Sequence, residues 1–353
     1  MKRQIFLALI LLTATVLMLL IGHGAITKPA NTPNVSLRSL ADARGIGMGT
    51  AVAMQPLRND STYREVVARE FNTIVAENAM KFQAVHPERD LFDFTDADDL
   101  VAFAKANKMQ VRGHTLVWFK SLPKWLTKGK FSREQLQEIL REHIQTVVGR
   151  YRGQLAVWDV VNEAVEKDGS LRKTIWLKKI GSEHIEMAFR WAHEADPQAL
   201  LFYNDFSGEG LGKKSDAIYT LVRDLQQRGV PIHGVGLQMH IGIKSSLKPQ
   251  DVAANIKRLA ALGLEVHITE MDVKIQDGTG TKPERFAAQA RVYRDMLGVC
   301  LSVPKCKAFV MWGFTDRHTW IPGFTGKPDE PLIFDRLYRP KPAYYALTSE
   351  LKK

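Results

Sequence analysis

The chain has 353 residues, 45% of them hydrophobic and 25% charged, which excludes a disordered polymer and exceeds what one small sandwich needs. Its 49 Lys and Arg against 38 Asp and Glu give a formal charge of +11. The cations are spread through amphipathic stretches such as FSREQLQEILREHIQTVVGRYRG rather than clustered, so a solvated basic surface is expected and a nucleic-acid partner is not.

Lys2 and Arg3 precede an uncharged apolar segment over residues 5–22. It reads as an export signal, with Gly22-His23-Gly24 as a small-x-small cleavage site. Its length also reaches the lower limit of a membrane span, about 17 residues, so residues 1–24 are expected to act as a signal peptide or a membrane anchor. Membrane contact follows only if the segment is not cleaved. Residues 25–36, rich in Pro, Asn and Thr, have linker composition, and the folded domain is expected over 37–353.

Eight short apolar or β-branched runs follow. The first four are GIGMGTAV (45–52), FNTIVAEN (71–78), MQVRGHTLVW (109–118) and QLAVWDVVNE (154–163). The others are ALLFYNDF (199–206), GVGLQMHI (234–241), LEVHITEMDV (264–273) and CKAFVMWGF (306–314). Stretches with helical spacing, such as IEMAFRWAHEAD and PQDVAANIKRLAALG, alternate with them. Eight strand–helix repeats predict an α/β fold, a single (β/α)8 TIM barrel. No phosphate-binding glycine fingerprint follows the first run, which counts against a nucleotide fold.

Polar residues gather where the strands end: Glu77 and Asn78, His114 and Trp118, Asn162 and Glu163, Asn204 and Asp205, Gln238 and His240, Glu270 and Asp272, and Trp312. In a barrel of this kind those ends form the active-site face. A polar strand end taken singly is best read as facing water, but seven of eight argue for a shared concave site. Glu163 and Glu270 each close an apolar run, and paired carboxylates are the minimum for glycosidic hydrolysis. A metal site would want converging histidines, and no His-x-His occurs, so no metal or cofactor is expected. His267 reads as a structural histidine. Trp118, Trp312 and Trp320 are placed to stack on the apolar faces of sugars, whereas Trp158 reads as core and Trp125, Trp176 and Trp191 lie in amphipathic or loop segments. Cys300 and Cys306 are placed for a short-loop disulfide if the chain is exported, or for two buried thiols.

The segments ENAMKF, RGHTLVW, WDVVNEAV, YNDF, GVGLQMHI, ITEMDV, WGFTDRHTWI and KPAYYAL, in this order, resemble those of glycoside hydrolase family 10, the endo-β-1,4-xylanases. The resemblance runs from about Leu37 to Lys353. It implies a barrel enzyme that cleaves xylan with retention, without cofactor and as a monomer acting on xylan or xylo-oligosaccharides. It implies Glu163 as acid/base, Glu270 as nucleophile, and Asn162 as the amide on the 2-hydroxyl of the cleaved sugar. His240, bridged by Asp272, would orient Glu270 and keep it ionised. Glu77, Asn78, Lys81, His114, Trp118, Gln238, Trp312 and Trp320 would line the donor side, and Cys300 and Cys306 match a disulfide position. Retention would need the carboxyls about 5 to 5.5 Å apart, and Glu163 must hold a proton while Glu270 does not.

Two departures stand against the family pattern. Phe119-Lys120-Ser121 replaces His-Ser-Gln after Trp118, which puts donor-side affinity in doubt. Phe206 and Ser207 follow Asp205 where Tyr-Asn often stands, removing a phenolic hydroxyl from the acceptor side. A β-glucanase on the same fold and a non-catalytic polysaccharide binder are the competing readings, and the presence of both glutamates speaks against the binder.

Overall fold

Apolar runs too short for helices, each followed by an amphipathic helix, can pair side by side only in parallel, because the helix returns the chain to its starting edge. The computed structural model, which describes residues 35–353, shows this arrangement. The expected export segment, and the expected linker up to residue 34, lie outside the described residues. The first helix among the described residues, Leu37–Arg44, opens on a reciprocal cap in which Ser36 and Ser39 satisfy each other's backbone N–H.

The strands are β1 (Gly47–Val52), β2 (Thr73–Ala76), β3 (Gln110–Val117), β4 (Val157–Asn162), β5 (Leu200–Asp205) and β6 (Gly234–Leu237), then β7 (His240–Gly242), β8 (Glu265–Lys274) and β9 (Cys306–Met311). Parallel pairing runs in order from β1 to β6, passes from β6 to β8 and on to β9, and closes where Gly47 to Thr50 of β1 meet Ala308 to Met311 of β9. The eight ring strands form the expected (β/α)8 barrel.

The sixth run departs from expectation by splitting in two. Met239 has a φ of 67° and breaks the strand, so β6 stops at Leu237 and β7 pairs only with the far half of β8, His240 opposite Asp272. The break has anchors: Gln238 N–H donates to the Asp205 carbonyl at 3.0 Å, and Met239 N–H to Glu209 Oε1 at 3.1 Å. A continuous strand would have alternated its side chains past this point.

Inside the ring, close packing dictates the glycines. A Cβ at Gly236 would lie 2.1 Å from Asn204 Oδ1, so the missing side chain is the space Asn204 occupies. At Gly113 a Cβ would lie 2.1 Å from the Trp158 ring, which is fully buried as the core reading expected. At the opposite end, Cys300, in the last turn of the helix Lys282–Leu301, is bonded to Cys306, the first residue of β9. Among the described residues no helix is long and apolar enough to cross a membrane.

Candidate active site

β4 delivers Glu163 by ending one residue before it. Glu163 has a φ of 58°, a left-handed backbone that costs a non-glycine residue about 1–3 kcal/mol unless its surroundings impose it. They do. Its N–H donates to the Asn204 carbonyl at 2.9 Å, the next N–H, of Ala164, to the Tyr203 hydroxyl at 3.1 Å, and that of Val165 to Asp205 Oδ2 at 3.4 Å. Tyr203 in turn donates to Asp205, whose other oxygen lies 2.7 Å from Lys214 Nζ. Burial pushes the Asp205 carboxyl up to about 6 against the pull of Lys214 and Tyr203. Three consecutive amides are thus tied to β5 and its side chains.

Glu270 sits within β8, two residues before Asp272 and on the same face. Its Oε1 accepts from Asn204 Nδ2 at 2.7 Å and its Oε2 from His240 Nε2 at 3.1 Å. Asp272 Oδ2 accepts from His240 Nδ1 at 2.8 Å and from Trp320 Nε1 at 2.9 Å. Burial would lower the basicity of the His240 imidazole, but Asp272 and Glu270 outweigh it and push it up to about 10, so both ring nitrogens carry protons at neutral pH. Burial would likewise raise Glu270. The His240 hydrogen bond and the imidazoles of His114 and His240 overcome that and hold its carboxyl below the ordinary range.

Amides span the space between the glutamates. Gln238 Nε2 donates to Asn162 Oδ1 at 3.1 Å and to Glu163 Oε1 at 3.3 Å, while Asn204 Nδ2 donates to Asn162 Oδ1 at 2.9 Å as well as to Glu270. Asn204 Oδ1 accepts from Thr269 at 2.7 Å, which fixes its orientation. A reversed Asn162 amide would reach Trp118 Nε1 at 3.3 Å but would set its NH2 against that of Asn204 at 2.9 Å, which that orientation forbids.

The remaining predicted residues form the adjoining wall. Lys81 Nζ donates to Asn78 Oδ1 at 2.9 Å and lies 5.1 Å from the Trp118 ring and 5.8 Å from Trp312, in cation–π range. Burial lowers its ammonium below the usual value, against the charges of Glu270, Glu77 and Glu163. Burial raises the Glu77 carboxyl, with Lys81 opposing. Trp118 is braced from behind by Trp176, whose Nε1 donates to the Trp118 carbonyl at 2.9 Å. On the other side of His240 opens a cleft of about 600 Å³, lined by Ser207, Lys213, Lys214 and Lys274 among others.

Chains of this build have known relatives. A model of glycosyl hydrolase family 10 matches residues 36–350. The chain belongs to that family. It is 43% identical over 333 residues to endo-1,4-beta-xylanase B of Thermotoga neapolitana, covering 94% of this chain and 95% of that one. It is 38% identical over 318 residues to exoglucanase XynX of Acetivibrio thermocellus, covering 86% of this chain but only 28% of that protein. Among solved structures, xylanase 10B from Thermotoga petrophila in complex with xylobiose superimposes with a TM-score of 0.88 at 44% identity, covering 90% of this chain and 98% of that one.

Within this family 10 barrel, five contacts were not legible in the sequence. Asn204 was visible as a polar strand end, but nothing in the sequence said that it bonds both Asn162 and Glu270. Below it, Arg112 and Asp159 form a buried bidentate ion pair, with Arg112 Nε at 2.9 Å from Asp159 Oδ2. That pair holds His114, whose Nδ1 lies 3.0 Å from Asp159, and His267, whose Nδ1 accepts from Arg112 at 2.9 Å. Burial and Arg112 push His267 down to about 4, so it is neutral, in keeping with its reading as a structural histidine. The available signal was a charge inside each of two neighbouring strands, Arg112 in β3 and Asp159 in β4.

Proposed function

We propose that this chain hydrolyses internal β-1,4-xylosidic bonds of xylan by double displacement. The observation that carries the reading is the unequal surroundings of the two strand-end glutamates: Glu270 is gripped by an imidazolium and an amide, while Glu163 accepts only weak amide contacts. Glu270 attacks the anomeric carbon as Glu163 gives a proton to the departing oxygen. Glu163, now a carboxylate, takes a proton from the water that releases the sugar from Glu270, so the configuration is retained. Asn162 meets the 2-hydroxyl of the reacting sugar. Lys81, Asn78, Glu77, Gln238 and His114 serve donor-side binding, with Trp118, Trp312 and Trp320 as sugar platforms.

The xylanase relatives support xylan as the polymer, and the relative named as an exoglucanase makes cellulose the necessary second arm of the test. Residues 1–24 would carry the enzyme out of the cell, where a polymer too large to enter is met. Reducing ends should accumulate from xylan and not from cellulose, and proton NMR of early products should show the β-anomer first. Release from cellulose alone would move the assignment to a glucanase, and an α-anomer would rule out the covalent route.

A further inference from the structure

Phe119 and Phe206, the two points at which the sequence leaves the family pattern, meet on one side chain. The Arg172 guanidinium lies 4.5 Å from the Phe119 ring centroid and 6.0 Å from that of Phe206, within the range at which an aromatic face attracts a cation. The same side chain donates from Nε to the Glu163 carbonyl at 2.8 Å, and the Arg172 backbone N–H donates to the Ala164 carbonyl at 2.8 Å. Its Nη1 lies 3.0 Å from Glu166, and only 17% of the side chain is exposed. Val165 and Leu171 bridge antiparallel, so residues 163–172 fold back on themselves with Arg172 as the latch.

The grip on Glu163 is therefore two-sided. β5 takes the N–H groups of residues 163 to 165, and Arg172 takes the carbonyls of 163 and 164. A left-handed residue persists only while its surroundings over-determine it. Releasing the carbonyl side lets the peptide after Glu163 rotate, and the carboxyl swings with it.

We infer that Arg172, clamped between Phe119 and Phe206, is a positioning residue that aims the Glu163 carboxyl at the leaving-group oxygen. It acts through the Glu163 backbone rather than on the reacting atoms. The inference rests on Glu163 being the acid/base, so the effect must appear where Glu163 moves a proton and vanish where none is needed.

The test is kcat/KM of the full-length chain on two aryl β-xylobiosides, since this ratio reports the steps up to formation of the glycosyl-enzyme. Dinitrophenolate departs without protonation, whereas phenolate needs the acid. Arg172→Ala should lower the phenyl substrate roughly tenfold to a hundredfold, the cost of about 1 Å of misplacement, and the dinitrophenyl substrate less than about threefold. Arg172→Lys, which keeps charge but not the planar fork, should show the same selectivity. Phe119→Leu should show it more weakly, and these two variants carry the test if Arg172→Ala does not fold. Equal losses on both substrates, or no loss on either, would overturn the inference. Glu163→Ala is the reference: if it lacks this selectivity, the assignment of Glu163 itself falls, an outcome separate from any failure at Arg172.

Discussion

The two glutamates are held by opposite means. Glu163 is fixed through its backbone: four hydrogen bonds fall on the main chain of residues 163 and 164, while its carboxyl accepts only from the Asn162 and Gln238 amides at 3.3 Å each. Glu270 lies in β8 without a left-handed φ, at a shift in the pairing with β9, and is fixed through its carboxyl, by Asn204 at 2.7 Å and the His240 imidazolium at 3.1 Å. A group that must gain and lose a proton in each cycle needs its direction fixed and its oxygens lightly held. A nucleophile that must stay ionised needs strong donors on both oxygens, and charge-assisted bonds supply them.

Removing either carboxyl breaks this contrast most severely. Glu270→Ala should lower xylan cleavage on the order of 10⁵-fold, and Glu163→Ala by about 10²–10⁴-fold. Azide separates the two further. With Glu163→Ala and an activated aryl xyloside, azide should intercept the glycosyl-enzyme and give the β-xylosyl azide. With Glu270→Ala it should attack the substrate directly from the opposite face and give the α-azide. The same anomer from both variants would contradict the division of labour.

Weakening the carboxyl grip should act chiefly on Glu270, although Asn204 also holds Asn162. Asn204→Ala removes a bond to a charged group worth about 1.5–3 kcal/mol, so kcat/KM should fall roughly tenfold to a hundredfold. His240→Ala removes the imidazolium and leaves burial to raise Glu270, so the acidic limb of the kcat/KM profile should move to higher pH. Stability carries the same signature. The depressed Glu270 contributes above the ordinary value of 4.5 and its share is lost as pH falls, while the elevated His240 contributes fully below 6.5 and its share is lost as pH rises toward about 10. The gap in Tm between native protein and His240→Ala should therefore be widest between these ordinary values and narrow on both sides. A gap that stays constant from pH 5 to 10 would deny the ion pair its role.

What the sequence made legible follows from this contrast. The barrel was readable because eight apolar runs alternate with helical spacing, and the carboxylates because a charge at the end of an apolar strand is an anomaly. The grip on Glu270 was partly readable, since the family resemblance placed His240 between Asp272 and Glu270. Asn204 was not assigned there because its partners come from β4 and β8, and a sequence gives no cross-strand register. The backbone grip on Glu163 was hidden for a stronger reason. A left-handed φ at a glutamate has no compositional mark, unlike one at glycine, and Arg172 reaches it from a loop whose return path no periodicity encodes. The split of the sixth run at Met239 was hidden in the same way.

The far end of the barrel supplies the smallest effect and the control for all of these. Cys300 and Cys306 join the end of a helix to the start of β9, while every catalytic contact lies where strands end. A loop closed across a sequence separation of 6 restricts the unfolded chain by about 2 kcal/mol on the loop-entropy model. Cys300→Ser with Cys306→Ser should therefore lower Tm by a few degrees, about 2–4 °C per kcal/mol for a domain of 150–250 residues and less for a larger one. Below the transition, kcat/KM on both aryl substrates should be unchanged, because the disulfide joins only the end of a helix to the start of β9, and the reacting groups stand at the other ends of the strands. A loss of activity without a loss of stability would mean that the two ends are coupled, and the separation between a stabilising face and a reactive face would have to be abandoned for this barrel.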